Sequence, residues 1–267
     1  MRIARYTAGE DPVYGVVEGE VGEEVVHQVV GDPLYVEPTR TGQSHALADV
    51  RLLAPVIPRS KVVGIGKNYA DHVEEMGGGT PPGEPAVFLK PNTSVVGPMD
   101  PIVLPWQSEE VHYEGELAVV IGRLCKDVPP DRVPEVVLGY TCANDVTARD
   151  LQRSDLQWAR AKGFDTFCPL GPWLVTADEL AVEDLRLTTR VDGEVVQDSR
   201  TSLLLHDVVR LVSHVSEAFT LLPGDVILTG TPAGVGPLRD GQVVEVEVEG
   251  IGVLRNPVRD SGDGGAA

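Results

Sequence analysis

Val111-His-Tyr-Glu-Gly-Glu-Leu-Ala-Val-Val-Ile-Gly122 is the stretch on which the reading of this chain turns. From Leu117 onward it is apolar at every position, the mark of a strand covered on both faces. Read as one strand, it places His112, Glu114, Glu116, Ala118 and Val120 on one face and Tyr113, Gly115, Leu117, Val119 and Ile121 on the other. Glu114 and Glu116 therefore point the same way, about 6.5–7 Å apart at their Cα atoms, at the entrance to a core. Two like charges so placed are unfavourable, and burying them unpaired costs several kcal/mol as an order of magnitude. A hard divalent cation that takes carboxylate oxygens relieves that cost directly. An exposed edge strand would carry the same Glu-x-Glu spacing, so the pair alone leaves both readings open.

Working outward, Asp145 ends the apolar run Gly139-Tyr-Thr-Cys-Ala-Asn and precedes a helical stretch. It is a third carboxylate for the ion or, on the plainer reading, a helix cap. Three acids with water in the remaining positions suit Mg²⁺ or Mn²⁺ better than Zn²⁺, which prefers His and Cys. Upstream, Asn68 to Met76 is expected to be a short helix ended by Gly77-Gly-Gly, with His72 and Glu75 three apart on one face. A carboxylate on one imidazole nitrogen fixes the tautomer and makes the other nitrogen a better base. Gly77 to Pro85 is a Gly/Pro-rich loop of the kind that hinges or caps a site. Lys162 sits in a mostly apolar stretch after Trp158, and Gly230-Thr-Pro-Ala-Gly-Val-Gly236 has the make-up of an anion-holding turn. Taken singly, each of these segments also has an ordinary surface reading.

The remaining punctuation predicts strands at Val13 to Val17, Glu24 to Val30, Lys61 to Gly66, Ala86 to Leu89, Leu138 to Cys142, Asp225 to Leu228, Gln242 to Val248 and Ile251 to Leu254. Val191-Asp-Gly-Glu-Val signals a hairpin. His206 to Leu221 is the one long amphipathic helix, with Val208, Leu211, Val212, Val215 and Phe219 on one face. Strands are not separated by regular helices, so the class is α+β and β-rich rather than doubly wound. Pro55 and Pro58 mark a joint, giving a small β-rich appendage over 1–55 and a catalytic domain over 56–267. Only Ser261-Gly-Asp-Gly-Gly-Ala-Ala has nothing to bury.

The net charge of -19 repels phosphate backbones and anionic membranes, which argues against either as a partner. Three cysteines with no close pair exclude a disulfide framework or zinc knuckle. No apolar run approaches the roughly 20 residues that span a bilayer, and the N-terminus lacks the apolar core of a signal peptide, so a cytoplasmic protein is expected.

Taken together, Gly66-Lys-Asn-Tyr-Ala-Asp-His-Val-Glu-Glu-Met76, Phe88-Leu-Lys-Pro91, His112 to Gly122, Asn144-Asp-Val-Thr-Ala-Arg-Asp-Leu-Gln152, Ala161-Lys-Gly-Phe-Asp165 and Leu228 to Gly236 resemble the fumarylacetoacetate hydrolase family, in that family's order. The resemblance implies a mixed β-roll domain, usually paired as a homodimer. It implies Mg²⁺ or Mn²⁺ on Glu114, Glu116 and Asp145, an acid–base dyad of His72 and Glu75 on a closing lid, and a catalytic Lys162. Arg149, Gln152 and Thr231 are implied to contact the carboxylate and oxo groups of a small 2-oxo acid. The expected reaction is cleavage of a C–C bond in that acid, as acylpyruvate hydrolase or oxaloacetate decarboxylase. The alternatives are isomerisation of a hydroxyheptadienedioate and a catalytically silent metal-binding module. A cupin-type oxygenase, for which His112 is available, lacks the His-x-His motif it would need.

Overall fold

The computed structural model describes residues 1–80 and 82–262. Strand dominates, and the longest helix has eleven residues, Val208–Ala218. The class is α+β and β-rich, as the punctuation predicts.

The Gly115–Ile121 strand is buried at every position and lies inside a twelve-stranded sheet. It is flanked antiparallel by Val137–Asn144 on one side and Val226–Leu228 on the other. Its alternation feeds two cores. Leu117, Val119 and Ile121 pack with Val208, Leu211, Val212 and Val215 of the long helix and with Val246, Val248 and Leu254 of a second, five-stranded sheet. Ala118 and Val120 face the other way, against Val62, Leu174, Val226 and Leu228. Each such leucine or valine contributes roughly 1.5–3 kcal/mol by leaving water. Two-sided burial is therefore what anchors this strand and holds the acids at its end.

Several boundaries differ from the sequence reading. The run from Val111 to Ile121 is two strands, not one: Val111–Tyr113 belongs to a separate three-stranded sheet, and Glu114 occupies the break before Gly115–Ile121. The long helix is shorter than expected and starts after Asp207, whose side chain accepts from the Arg210 amide as an N-cap. Leu221 instead forms a β-bridge with Cys125. The Asp192-Gly193 hairpin is as expected, with φ of 52° and 85° joining Arg186–Val191 to Glu194–Arg200.

Residues 1–55 carry five strands, and these join the main sheet: Arg2 and Ile3 pair with Val175 and Leu174. Their partner, Cys168–Thr176, is buried at all nine positions and also pairs with Val137–Asn144. The expectation that 261–267 has nothing to bury falls mainly outside the described residues, although the Ser261 amide donates to Leu104 O at 3.0 Å. Among the described residues no helix is long and apolar enough to cross a membrane.

Candidate active site

The site forms where the Gly115–Ile121 strand outruns one neighbour. Val226–Leu228 pairs only with Val120, Val119 and Ala118, whereas Val137–Asn144 pairs to the strand's beginning, Gly115 against Asn144. Two bonds clamp the break there: the Glu114 amide donates to Asn144 Oδ1 at 2.9 Å, and the Asp145 amide donates to Glu114 O at 2.8 Å. Glu116 Oε2 accepts from the Gly230 amide at 2.7 Å. Glu114, Glu116 and Asp145 are buried, and each brings one carboxylate oxygen to within 4.8 Å of the others. Asp145 is no helix cap, because the N-cap of the following Arg149–Ser154 helix is Ala148.

Three cations surround these acids. Lys162, from the short helix Ala159–Gly163, donates to Glu114 Oε2 at 2.8 Å and to Asp145 Oδ2 at 2.6 Å. Arg149 opens its own helix and brings Nη2 to 2.5 Å from Glu114 Oε1. Lys90, the last residue of Ala86–Lys90, donates to Asp145 Oδ1 and, at 3.3 Å, to Val146 O. The Lys162 ammonium also lies 4.9 Å from the centre of the Phe88 ring, within cation–π range.

The electrostatics divide the acids. Burial pushes the Glu114 carboxyl up, but Arg149, Lys162 and His72 outweigh it and hold the group well below the ordinary range. Burial pushes Glu116 up as well; Asp145 and Glu114 add to that, and Lys162 and the Gly230 amide do not offset it, so Glu116 stands well above the ordinary value. Burial disfavours the charged Lys162, yet Asp145 and Glu114 raise it above its usual value. Glu116 is thus the acid most in need of further positive charge. The donor set is all oxygen, anionic and close-set, which fits a hard divalent ion.

Beside the acids lies the His72–Glu75 pair on Ala70–Glu75, with Nδ1 3.3 Å from Glu75 Oε2. Glu75 Oε1 accepts from the Gly234 amide at 3.0 Å. Asn68, immediately before this helix, donates from Nδ2 to Thr229 O at 2.7 Å and to His206 O at 3.0 Å. The helix is therefore fastened to the 229–234 turn at both ends.

Of the residues singled out in the sequence, Glu114, Glu116, Asp145, Lys162 and Arg149 make one cluster. Gln152 joins it by accepting from Arg149 Nη1 at 2.8 Å. The Thr231 hydroxyl donates to Gly115 O at 2.9 Å, between the two glutamates in sequence. His112 pairs with Glu110, its Nε2 3.3 Å from that carboxylate, and is not part of the three-acid group. Sequence reasoning missed two buried residues, Lys90 and Gln197. Only the position of Lys90 in Phe88-Leu-Lys-Pro91 hinted at the first.

Residues 61–259 match the fumarylacetoacetate (FAA) hydrolase C-terminal family. The chain belongs to the fumarylacetoacetate hydrolase family. Residues 1–55 match a second family, Rv2993c-like, N-terminal. This family member is 50% identical to a 2-hydroxyhepta-2,4-diene-1,7-dioate isomerase from Mycobacterium marinum, with a TM-score of 0.90 over 98% of this chain and 100% of that one. It is 40% identical to the mitochondrial oxaloacetate tautomerase Fahd2a of Rattus norvegicus over 97% of this chain and 91% of the relative. It is 30% identical, with a TM-score of 0.80 over 97% of this chain and 99% of that one, to a maleylpyruvate hydrolase from Sphingobium sp. SYK-6 in complex with manganese(II) and pyruvate. Members of the family are enzymes, with hydrolases, isomerases and tautomerases among these relatives.

Proposed function

We propose that this protein binds a small 2-oxo diacid at Glu114, Glu116 and Asp145 through a divalent cation, Mg²⁺ or Mn²⁺, and transfers a proton on the carbon beside the oxo group. The observation that carries this reading is the buried meeting of three carboxylates with Lys90, Lys162 and Arg149, next to the His72–Glu75 pair. Counted as formal charges, those six side chains cancel. A bound divalent ion would then leave positive charge in excess, which the carboxylate of an anionic substrate would offset.

Glu114, Glu116 and Asp145 would hold the ion, which would supply Lewis acidity toward a 2-oxo oxygen. The protein's own groups do the rest. Arg149, with Gln152 holding its Nη1, orients the substrate's carboxylate and oxo groups, and Thr231, whose hydroxyl proton goes to Gly115 O, holds the turn beside them. Lys162 adds a donor where charge develops, in surroundings too dry for water to screen it. His72, with Nδ1 tied to Glu75, takes the proton from carbon through Nε2; the C–H electron pair becomes the C=C bond, the C=O π pair moves onto the oxo oxygen, and delivery of the same proton from His72 to that oxygen completes the enol.

The second reading is the C–C bond cleavage expected from the sequence, which passes through the same enolate. In an acylpyruvate, His72 would activate water against the distal carbonyl; in oxaloacetate, loss of CO₂ would need no water. The manganese and pyruvate held by the maleylpyruvate hydrolase favour it. The 50% identity to an isomerase, against 40% to a fumarylacetoacetate hydrolase, favours proton transfer as the principal activity.

Oxaloacetate, acetylpyruvate and an unsaturated seven-carbon diacid, each with Mn²⁺, separate the two readings. Proton transfer predicts faster keto–enol relaxation of oxaloacetate with no matching release of pyruvate. Stoichiometric pyruvate would establish cleavage, and no acceleration with any of the three would overturn both.

A further inference from the structure

At Gly115 the strand has lost the neighbour that Val226–Leu228 provides further along, and side chains take the place of a strand partner. Gln197, buried in Glu194–Arg200 of the second sheet, accepts from the Gly115 amide through Oε1 at 3.0 Å. Its Nε2 donates to Thr231 Oγ1 at 2.8 Å and to Pro232 O at 2.9 Å. Thr231 passes its own proton on to Gly115 O at 2.9 Å. One amide thus satisfies both backbone groups of the residue between Glu114 and Glu116, the second by way of Thr231. It also holds the turn whose Gly230 amide binds Glu116 and whose Gly234 amide binds Glu75. The fit allows little slack: a Cβ on Gly115 would lie 2.0 Å from Thr189 Oγ1, and one on Gly234 2.1 Å from Val196 O.

We propose that Gln197 is a positioning residue that sets the spacing of the metal-binding glutamates by completing the hydrogen bonds of Gly115 and clamping the 230–234 turn. This rests on the metal reading above. Gln197 bonds to Gly115, Thr231 and Pro232 rather than to the acids themselves, so it acts on the ion through Glu114 and Glu116. Partners one step removed from a ligand carry about 10–100-fold of metal affinity in comparable sites.

The test uses the full chain with Gln197→Met, Gln197→Glu and, as a control, Asn256→Leu, which removes a buried bond to Gly97 O and a part-buried one to Asp100 O. Two quantities are read: Mn²⁺ affinity, and hydrogen exchange of the Gly115 amide in metal-free protein. Gln197→Met should weaken Mn²⁺ by about 10–100-fold and unprotect Gly115. Gln197→Glu, which keeps the Oε1 acceptor but loses both donors, should leave Gly115 protected with an intermediate loss of affinity. Asn256→Leu should lower the melting temperature and change neither quantity. Mn²⁺ affinity equal to that of the unaltered chain in folded Gln197→Met, or in Gln197→Glu if the methionine variant does not fold, overturns the proposal. If the unaltered chain binds no Mn²⁺, the metal reading fails by itself, and a Gly115 amide that stays protected in Gln197→Met still counts against the clamp.

Discussion

Lys162 donates from Nζ to Oδ2 of Asp145 across 2.6 Å, with both side chains buried. The same ammonium reaches Glu114, so one cation bridges two of the three acids. Replacing it with methionine should keep the apolar stem and remove the charge. Steady-state assays should then show turnover reduced by about 10²–10³-fold, the scale for losing one donor to a developing negative charge. Mn²⁺ should still bind, since all three carboxylates remain.

Glu116 gives the pH dependence. Burial, with Asp145 and Glu114 beside it, holds this carboxyl well above the ordinary range, so below that raised value an ion bound there would displace a proton. Apparent Mn²⁺ affinity should therefore rise with pH until that value is passed and then level off, with proton release visible as a buffer-dependent heat in calorimetry. Without metal, a carboxyl raised on folding stabilises the fold fully below its unfolded value near 4.3, and this contribution is lost as pH rises through the folded value. Glu116→Gln should remove that slope, raise the metal-free melting temperature near neutral pH and abolish ion binding.

Lys90 predicts a stability effect that metal can reverse. Lys90→Met leaves Asp145 with Lys162 as its remaining cation, and breaking a buried pair costs about 3 kcal/mol. The melting temperature of the metal-free variant should fall, and saturating Mn²⁺ should recover most of the loss, because an ion that binds only the folded state stabilises it. Recovery equal to that of the unaltered protein would show that Asp145 still serves as a ligand.

Burial pushes the Cys142 and Cys168 thiols up to about 12, and raises Cys125 as well. The nucleophile in thiol chemistry is the thiolate, so none of the three should react rapidly with a disulfide reagent in native protein at pH 8, and all three should react in denaturant. The sign follows: folding favours the neutral thiols, so the contribution of Cys142 and Cys168 is present below the unfolded value near 8.5 and fades as pH climbs toward about 12.

A strand's period of two and a run of apolar residues, both local signals, placed Glu114 and Glu116 at the entrance to a core but left an exposed edge open, and the family resemblance joined Asp145 to them. The break at Glu114 was not legible, since an alternation that changes sheets half-way reads the same as one that does not. Cys168–Thr176 carries no clear strand signal, because Pro169, Gly171 and Pro172 interrupt it, although it lies deep in the main sheet. The continuity of 1–55 with that sheet depends on pairing Arg2 with Val175, far apart in sequence. Lys90 and Gln197 have the same difficulty: their partners lie 55 and 82 residues away, and neither spacing has a period. The His72–Glu75 pair, three apart on a helix, needed no such contact to be seen.

Titration of Mn²⁺ into the unaltered protein and into Glu114→Gln, Glu116→Gln and Asp145→Asn tests the central claim most directly. The account predicts one ion per chain in the first and at least a hundredfold weaker binding in each of the others, about 2.7 kcal/mol. Binding in all three variants as tight as in the unaltered chain would place the ion elsewhere and contradict it.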